Sequence, residues 1–207
     1  MLVSTNMNAP TARTPRPYRM RARAVAAAET GRRILHAVLD LHTERFHDQI
    51  TLEAVAERAG VTVQTVLRRF GSREGLISAA GDYAEAEVLQ QRGAAPIGDI
   101  TGAVENLVEH YEEWGASALR LLAQEERVPQ LRAIAERGRD GHYAWVDRTF
   151  GPYLTGRSQR LLRAKLITLT DVYVWKLLRL DLGLERTETA SVLGEMIRAV
   201  LGEGREA

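Results

Sequence analysis

The side chains most able to do chemistry lie in one short stretch, and that chemistry is hydrogen bonding and charge pairing. The stretch VQTVLRRF spans residues 63–70, and only Val66 and Phe70 recur at the spacing of four that buries one helix face. The other side presents an amide, a hydroxyl, apolar groups and two guanidinium groups but no acid: Val63, Gln64, Thr65, Leu67, Arg68 and Arg69. Such side chains meet base edges, thymine methyl groups and phosphates in a DNA major groove.

The flanking segments predict that this stretch is the second helix of a helix-turn-helix. Thr51 is a candidate N-cap for a two-turn helix with apolar residues at helical spacing, and Gly60 is placed to end it in a left-handed conformation. Thr62 then caps the next helix, and Gly71 ends that helix. A short helix, a turn with glycine and a second helix form a unit whose second helix enters the major groove.

The run from Arg33 to Leu76 resembles the DNA-binding domain of the TetR family of transcriptional regulators. The matching residues are Ile34, Leu35, Ala37, Leu41, Phe46, Thr51, Val55, Ala56, Ala59, Gly60, Val61, Thr62, Thr65, Phe70, Ser72, Glu74 and Leu76. The resemblance covers about a quarter of the chain. It implies an all-α protein in which a three-helix DNA-binding domain with a helix-turn-helix precedes a larger helical ligand-binding and dimerisation domain.

Four positions depart from the family pattern. Leu67 stands where the family usually has a tyrosine, so one hydroxyl contact to the DNA backbone is missing. Arg69 replaces a histidine and Arg73 replaces a lysine, and both remain able to bind phosphate because a guanidinium can donate two parallel hydrogen bonds. Arg45 replaces the glycine that commonly ends the first helix, which leaves the end of that helix open.

The resemblance and the residue types together assign the DNA contacts. We expect Val63, Gln64 and Leu67 to face bases, with Gln64 able to pair with adenine. The phosphate contacts are assigned to hydroxyl and guanidinium groups: Thr51, Thr65, Arg68, Arg69 and Arg73, with Thr62 at the start of the second helix. Arg73 begins the following helix, where the helix N-terminus and the guanidinium can share one phosphate.

The charge distribution agrees with a nucleic-acid partner. Residues 1–75 contain 12 of the 28 basic and 7 of the 27 acidic residues, so they carry a formal charge of +5 and the remainder carries −4. Residues 1–25 hold three prolines, five arginines and no acid, which predicts a flexible basic arm. Such an arm can lie along phosphates or reach into the minor groove, and the alternative is a tail that contributes only diffuse attraction.

Three segments are predicted from these patterns: the arm at 1–25, a DNA-binding domain at 26–75 and a helical ligand-binding and dimerisation domain at 76–207. The first helix is predicted from Ala26 to about Phe46, the connecting helix runs to about Gln91, and RGAAPIG at 92–98 is a linker. Helices of the larger domain are predicted at 99–116, 117–126, 129–150, 157–182 and 187–203.

The last two helices carry more apolar residues than one core needs. Helix 157–182 has two apolar stripes, and the last helix shows a similar surplus. A four-helix interface between two chains would bury both, so we expect a homodimer through the two C-terminal helices, with a monomer of thick core as the alternative. Two such reading helices would meet a near-palindromic operator in double-stranded DNA.

Most of the aromatic residues lie between positions 111 and 175. Rings with polar tips can line a cavity for a small, largely apolar ligand, although aromatic residues at helical spacing also fill cores. The candidate ligand-binding residues are Tyr111, Trp114, His142, Trp145, Tyr173 and Trp175, with Leu119, Leu122 and Leu166 extending the wall.

No catalytic residue, cofactor or metal is predicted. The chain has no cysteine, and His36, His42 and His47 do not share a helix face, so they are expected at the surface or boundary. We therefore expect a cytoplasmic regulator, a repressor that a small molecule releases from its operator. The alternative is a ligand-independent DNA-binding regulator whose helical body serves only dimerisation or protein contacts.

Overall fold

Helices account for all the regular secondary structure in the residues that the computed structural model describes, which are 16–156 and 159–202. The helices are α1 (Arg16–Glu44), α2 (Leu52–Ala59), α3 (Val63–Phe70), α4 (Arg73–Gly93), α5 (Ile100–Leu122), α6 (Pro129–Thr149), α7 (Gln159–Leu169), α8 (Val172–Lys176) and α9 (Arg186–Leu201). Single 3₁₀ turns lie at His47–Gln49 and Gly151–Tyr153. The all-α prediction is confirmed.

The helix-turn-helix forms through the caps that the sequence predicts. The Thr51 side chain accepts a hydrogen bond from the main-chain N–H of Ala54 at 3.2 Å, so α2 begins there. Gly60 ends α2 with φ +64°, a conformation that a side chain would strain. Thr62 caps α3 by accepting from the N–H of Thr65 at 3.2 Å. These caps fix α3 at a set angle to α2.

The core of the first unit is apolar and closed. Ile34 and Leu41 of α1, Val55 of α2, Val66 of α3 and Leu76 of α4 are all at most 1% exposed. They belong to one cluster, so burial of their apolar surface holds α3 against the other three helices. Because Val66 is buried in this core, the opposite side of α3 faces outward.

The first helix begins earlier than the sequence predicts. We expected the chain to be flexible to residue 25, but α1 starts at Arg16, and Pro17 lies in its first turn, where a missing N–H costs nothing. Residues 16–25 of the predicted flexible arm are therefore helical, which corrects this part of the prediction. Residues 1–15 of the arm lie outside the described part of the chain. At the other end, α1 stops at Glu44 rather than at about Phe46.

Helix α5 is a single 23-residue helix, which corrects the prediction of separate helices at 99–116 and 117–126. The predicted break lay between residues 116 and 117, and the adjacent Gly115 lies inside the helix and is buried. A Cβ atom on Gly115 would come 2.5 Å from the Trp175 ring, so the glycine allows α8 to pack closely on α5. The residue thus serves helix packing rather than a turn.

The predicted helix 157–182 is divided at Thr170 and Asp171. The Asp171 carboxylate accepts the main-chain N–H of Tyr173 at 2.9 Å and caps α8, and the chain then continues in a π-helical turn at Leu177–Asp181. Thr170 is fully buried, and its main-chain carbonyl accepts a hydrogen bond from the Tyr111 hydroxyl of α5 at 2.8 Å. Gly183, with φ +70°, follows the π-helical turn.

Helix α4 belongs to both parts of the molecule. Its first turns complete the core of the DNA-binding unit through Leu76 and Ile77, and its last turn reaches the larger helical body. Across the junction, the main-chain N–H of His47 donates to Gln124 at the end of α5 (2.9 Å). In the part of the chain that the structure describes, no helix has the length and apolarity needed to cross a membrane.

Candidate DNA-binding surface and ligand cavity

The outer side of α3 exposes a patch of polar and cationic side chains. Gln64, Arg68 and Arg69 are exposed, and Thr65 and Leu67 are partly exposed. Val66 is fully buried, so the helix is fixed with these side chains outward. An amide and two guanidinium groups on one short helix can supply hydrogen bonds to base edges and phosphates together.

Two of the predicted contact residues are less free than the others. Val63 is half-buried and packs against the core of the first unit, so it offers only part of its surface to a base. The Arg69 guanidinium lies against α1 at Gly31, where a Cβ atom would overlap it, and its Cζ atom is 5.9 Å from the centroid of the Phe70 ring. Arg69 therefore connects α3 to α1 while remaining exposed.

The predicted threonines lie at the N-termini of α2 and α3. Thr51 and Thr62 are exposed, and each hydroxyl accepts a main-chain N–H, so each retains its own O–H as a donor. The Thr62 and Thr65 hydroxyl oxygens are 3.0 Å apart. Helix N-termini attract anions because their first N–H groups lack partners, so these residues are suited to phosphate.

The Arg73 side chain forms hydrogen bonds within the DNA-binding unit. Its Nε donates to the main-chain oxygen of Ile50 at 2.8 Å, its Nη2 donates to the main-chain oxygen of His47, and its Nη1 is 3.2 Å from the His47 ring. The guanidinium thereby joins the start of α4 to the turn before α2. These bonds give the side chain a structural role, and its phosphate contact stays a prediction.

The helical body forms a partly open cavity of about 540 Å³ between α4, α5 and α6. Apolar side chains form most of its wall, including Val88, Leu122 and Ile134. Val38 and His42 of α1 also line it, so the cavity borders the DNA-binding unit. Its size is within the usual range for sites that hold small organic ligands, which is roughly 300–1,000 Å³.

Four of the six predicted ligand residues line this cavity, namely Tyr111, Trp114, His142 and Trp145. Tyr173 does not, because its side chain is 56% exposed on the outside of the molecule. Trp175 does not either, because it is buried against Gly115 and its Nε1 donates to Glu112 at 3.2 Å. Of the three leucines predicted to extend the wall, Leu122 lines the cavity, whereas Leu119 and Leu166 do not.

The principal charged residue of the cavity, Arg92, is not among the residues predicted from the sequence. Arg92 is 6% exposed, with its Cζ atom 4.2 Å from the centroid of the Trp145 ring and its Nη2 3.3 Å from Nδ1 of His142. Arg92 had been assigned to a linker, but it occupies the last turn of α4. The available signal was its helical spacing from Ala84 and Val88, which line the same cavity.

Two histidines beside Arg92 are held neutral. Burial, and secondly the charge of Arg92, lowers the pKa of His142 to about 4. Burial and then the Arg92 charge also lower the pKa of His110 well below its usual value. Nε2 of His142 is 3.3 Å from the main-chain oxygen of Ile167, so this nitrogen carries the proton and Nδ1 accepts from Arg92. Burial raises the pKa of Tyr111 to about 12, and its hydroxyl donates to the main-chain oxygen of Thr170.

The first three histidines of the chain are also placed differently from one another. His36 is exposed and its Nε2 lies 3.0 Å from the Tyr83 hydroxyl, whereas His42 and His47 are buried, although all three are expected from the sequence at the surface or boundary. Burial is the main cause that lowers the pKa of both buried rings. His42 lines the cavity, and His47 contacts Arg73, so each occupies the junction between the two units.

Comparison with known proteins identifies the first unit. Residues 34–80 match the sequence profile of the family described as bacterial regulatory proteins, tetR family. The matched segment runs from the apolar part of α1 through the helix-turn-helix into α4. No match was found among curated proteins.

Solved structures share the fold over most of the chain. A protein described as a transcriptional regulator from Rhodococcus sp. Rha1 has a TM-score of 0.64 at 17% identity, covering 83% of this chain and 96% of that one. A regulator from Saccharomonospora viridis, crystallised with choline, gives 0.62 at 18%, with coverages of 83% and 96%. The multidrug binding protein EbrR, complexed with imidazole, gives 0.53 at 20%, with coverages of 80% and 88%. At these identities the likeness shows a shared fold.

Proposed function

We propose that the chain, whose residues 34–80 match the profile of the tetR family of bacterial regulatory proteins, is a cytoplasmic homodimeric repressor that a small-molecule ligand releases from its operator. The observation that carries the DNA-binding part is the exposed side of α3, where Gln64, Arg68 and Arg69 stand together on a helix fixed by its buried residues. The fold and the domain match favour a non-enzymatic regulator.

Exposed apolar residues near the C-terminus support a dimer. Five large apolar side chains between α7 and the end of the π-helical turn are at least half exposed: Leu161, Tyr173, Leu177, Leu180 and Leu182. Burying such a surface against a second copy is favourable by about 25 cal/mol per Å² of apolar area. A two-fold dimer through this surface and α9 would present two α3 helices to a near-palindromic operator.

The course of α4 supports release by a ligand. Its last turn carries Arg92 at the cavity, and its first turn carries Arg73, which hydrogen-bonds to the turn before α2. Between them, Gly81 contacts Ile134 of α6 so closely that a Cβ atom would come 2.9 Å from it. A ligand that shifts α6 or the end of α4 would therefore move α4 and change the spacing of the two α3 helices.

Similar folds with bound ligands also support an effector site. The regulator crystallised with choline and EbrR complexed with imidazole both share the fold of this chain. A ligand-independent regulator is the second candidate, but a 540 Å³ cavity that borders α1 favours a ligand. A ligand-dependent regulator differs from a ligand-independent one in a testable way. A compound that raises the melting temperature of the free protein should also weaken its DNA binding only in the ligand-dependent case.

The test of DNA recognition begins with selection of binding sites from random duplex DNA by the purified protein. We expect a near-palindromic site whose half-sites are about one or two helical turns apart. Recovery of no enriched sequence, or of a site without two-fold symmetry, would contradict the proposal. The selected duplex then serves as the probe for variants of α3.

Three variants separate base reading from phosphate binding on that duplex. Gln64→Ala should weaken binding to the selected site more than to a site changed in one half-site base, because an amide pair to a base contributes about 1–3 kcal/mol of discrimination. Arg68→Ala should weaken binding to both sites equally and reduce the salt slope by about 1. Arg132→Ala, an exposed arginine of α6, is the matched control and should leave both quantities unchanged.

A further inference from the structure

Arg92 differs from the other arginines that line the cavity. Within the described residues, Arg137 and Arg139 each form an ion pair with a glutamate, and Arg148 donates to three main-chain carbonyl oxygens. Arg92 is more buried than any of these, and no carboxylate among the described residues pairs with it. A buried guanidinium without an anion is costly, so its charge calls for an explanation.

The groups around Arg92 are neutral. The Trp145 ring lies under its guanidinium, the neutral His142 ring accepts a hydrogen bond, and the Tyr111 ring centroid is 6.0 Å from its Cζ atom. None of these supplies negative charge, although the C-terminal end of α4 contributes a partial one. Two donors, Nε of Arg92 and Nε1 of Trp145, are buried without an acceptor in the described structure.

The carboxylates of the cavity wall are already engaged elsewhere. Glu85 accepts from Arg137 at 2.7 Å, and Asp171 accepts the main-chain N–H that caps α8. Arg148 adds a second cation near the same end of α4, because its Nη2 donates to the main-chain oxygen of Arg92 at 2.9 Å. The cavity therefore presents a cationic end with unused donors and an otherwise apolar wall.

We propose that the cavity binds a small amphipathic carboxylic acid, whose carboxylate pairs with Arg92 and whose apolar part lies between α4, α5 and α6. Arg92 is the one buried arginine among the described residues that line the cavity, so it matches one monovalent anion, and a planar carboxylate fits its fork of donors. A phosphate dianion would leave one charge uncompensated, because Arg148 is exposed and gives its donors to main-chain carbonyl oxygens. This inference rests on the proposed function, because it assigns the effector cavity its class of ligand.

The test uses three sets of probes that differ only in the head group. Hexanoate, decanoate and 4-phenylbutyrate are compared with the alcohols and amines of the same carbon skeletons, by calorimetry and by melting temperature in the absence of DNA. At least one acid should bind about ten- to a hundredfold more tightly than its alcohol, as expected for hydrogen bonds to a charged group, and the amines should bind most weakly. Equal binding of acids and alcohols, preference for amines, or no binding of any acid would overturn the proposal.

Variants at position 92 test the role of the guanidinium. Arg92→Met should remove the preference for acid over alcohol while retaining binding of the alcohol, which also shows that the variant is folded. Arg92→Lys should keep a preference for the acid at reduced affinity, because it keeps the charge but not the paired donors. Arg132→Met, an exposed arginine outside the cavity lining, should bind the acid as the original protein does. Retention of the full preference by Arg92→Met would overturn the proposal.

Release from the selected operator is measured separately by fluorescence anisotropy. An acid that binds through Arg92 without weakening DNA binding would support the ligand class and contradict the proposed release. A neutral or cationic compound that releases DNA, with no acid bound, would support the proposed function and overturn the ligand class.

Discussion

Arg73 donates from Nε to the main-chain oxygen of Ile50 at 2.8 Å and so joins the first turn of α4 to the residue that precedes the helix-turn-helix. Its Nη2 adds a second bond, to the main-chain oxygen of His47. A guanidinium with these partners stabilises the DNA-binding unit, and we expect it to contribute little to phosphate binding. The family resemblance implies a cation at position 73, and the Arg73 side chain stabilises the folded DNA-binding unit.

The first prediction follows from this placement. Arg73→Ala should lower the free energy of unfolding by about 1–3 kcal/mol, because it leaves buried carbonyl oxygens without donors. When binding is corrected for the folded fraction, the salt slope of DNA binding should stay as it is in the original protein. Urea denaturation and salt titrations measure the two effects. Arg68→Ala is the converse control, and a reduced salt slope for Arg73→Ala would contradict the structural role.

The buried histidines predict that acid destabilises the protein. The pKa of His142 is lowered from 6.5 to about 4 by burial and then by Arg92, and that of His110 is lowered in the same direction. Between pH 4 and pH 6.5 the unfolded chain binds more protons than the folded chain. The contribution of these histidines to stability is therefore fully present above pH 6.5 and is lost as the pH drops toward 4.

Each such histidine should reduce the unfolding free energy by up to about 1.4 kcal/mol per pH unit within its window. Melting temperatures between pH 7 and pH 4.5 measure the effect. His142→Gln should make the fall shallower, because it removes one group that protonates on unfolding. A melting temperature that does not change over this range would contradict the neutral, buried state of these rings.

A pair of glycines predicts opposite effects of the same substitution. Gly115→Ala should destabilise the protein by about 1–3 kcal/mol, because the added Cβ atom would lie 2.5 Å from the Trp175 ring and force α8 away from α5. Gly138→Ala is the control within α6, where a Cβ atom meets nothing within 4 Å. It should stabilise by about 0.5–1 kcal/mol through helix propensity. Equal effects in thermal unfolding would rule out the packing role of Gly115.

The exposed leucines predict how the dimer can be weakened. Leu177→Glu or Leu180→Glu should raise the dimer dissociation constant by at least about tenfold, because a charge would be buried in an apolar interface. Sedimentation velocity over a range of concentrations measures the dissociation constant. Ile97→Glu changes an isoleucine that is 59% exposed outside this surface and should leave the constant unaltered. Sensitivity of the dimer to Ile97 rather than to the leucines would move the interface elsewhere.

The sequence predicts the DNA-binding unit well because its signals are local. Thr51, Gly60 and Thr62 act through hydrogen bonds and backbone conformations within four residues, so their caps are visible in the sequence. The cavity is less predictable because it depends on contacts between distant segments. Arg92 meets His142 from fifty residues away, and nothing adjacent to it indicates burial.

The same reasoning explains two incorrect predictions in the body. The predicted break between residues 116 and 117 could not take into account that Trp175 packs against the adjacent Gly115. Trp175 and Tyr173 were grouped with the ligand residues because they are aromatic and lie between positions 111 and 175, but Trp175 is buried and Tyr173 is exposed. Residue type limits the interactions that a side chain can form, whereas packing against other segments determines where the side chain lies.

The exposed surface formed by Leu177, Leu180 and Leu182 has a consequence for gene control. If two copies must meet through it before an operator is held, then occupancy at low protein levels scales with the square of the protomer concentration. A twofold change in expression would then alter occupancy up to fourfold. The amount of protein in the cell would thus act as an input beside the ligand.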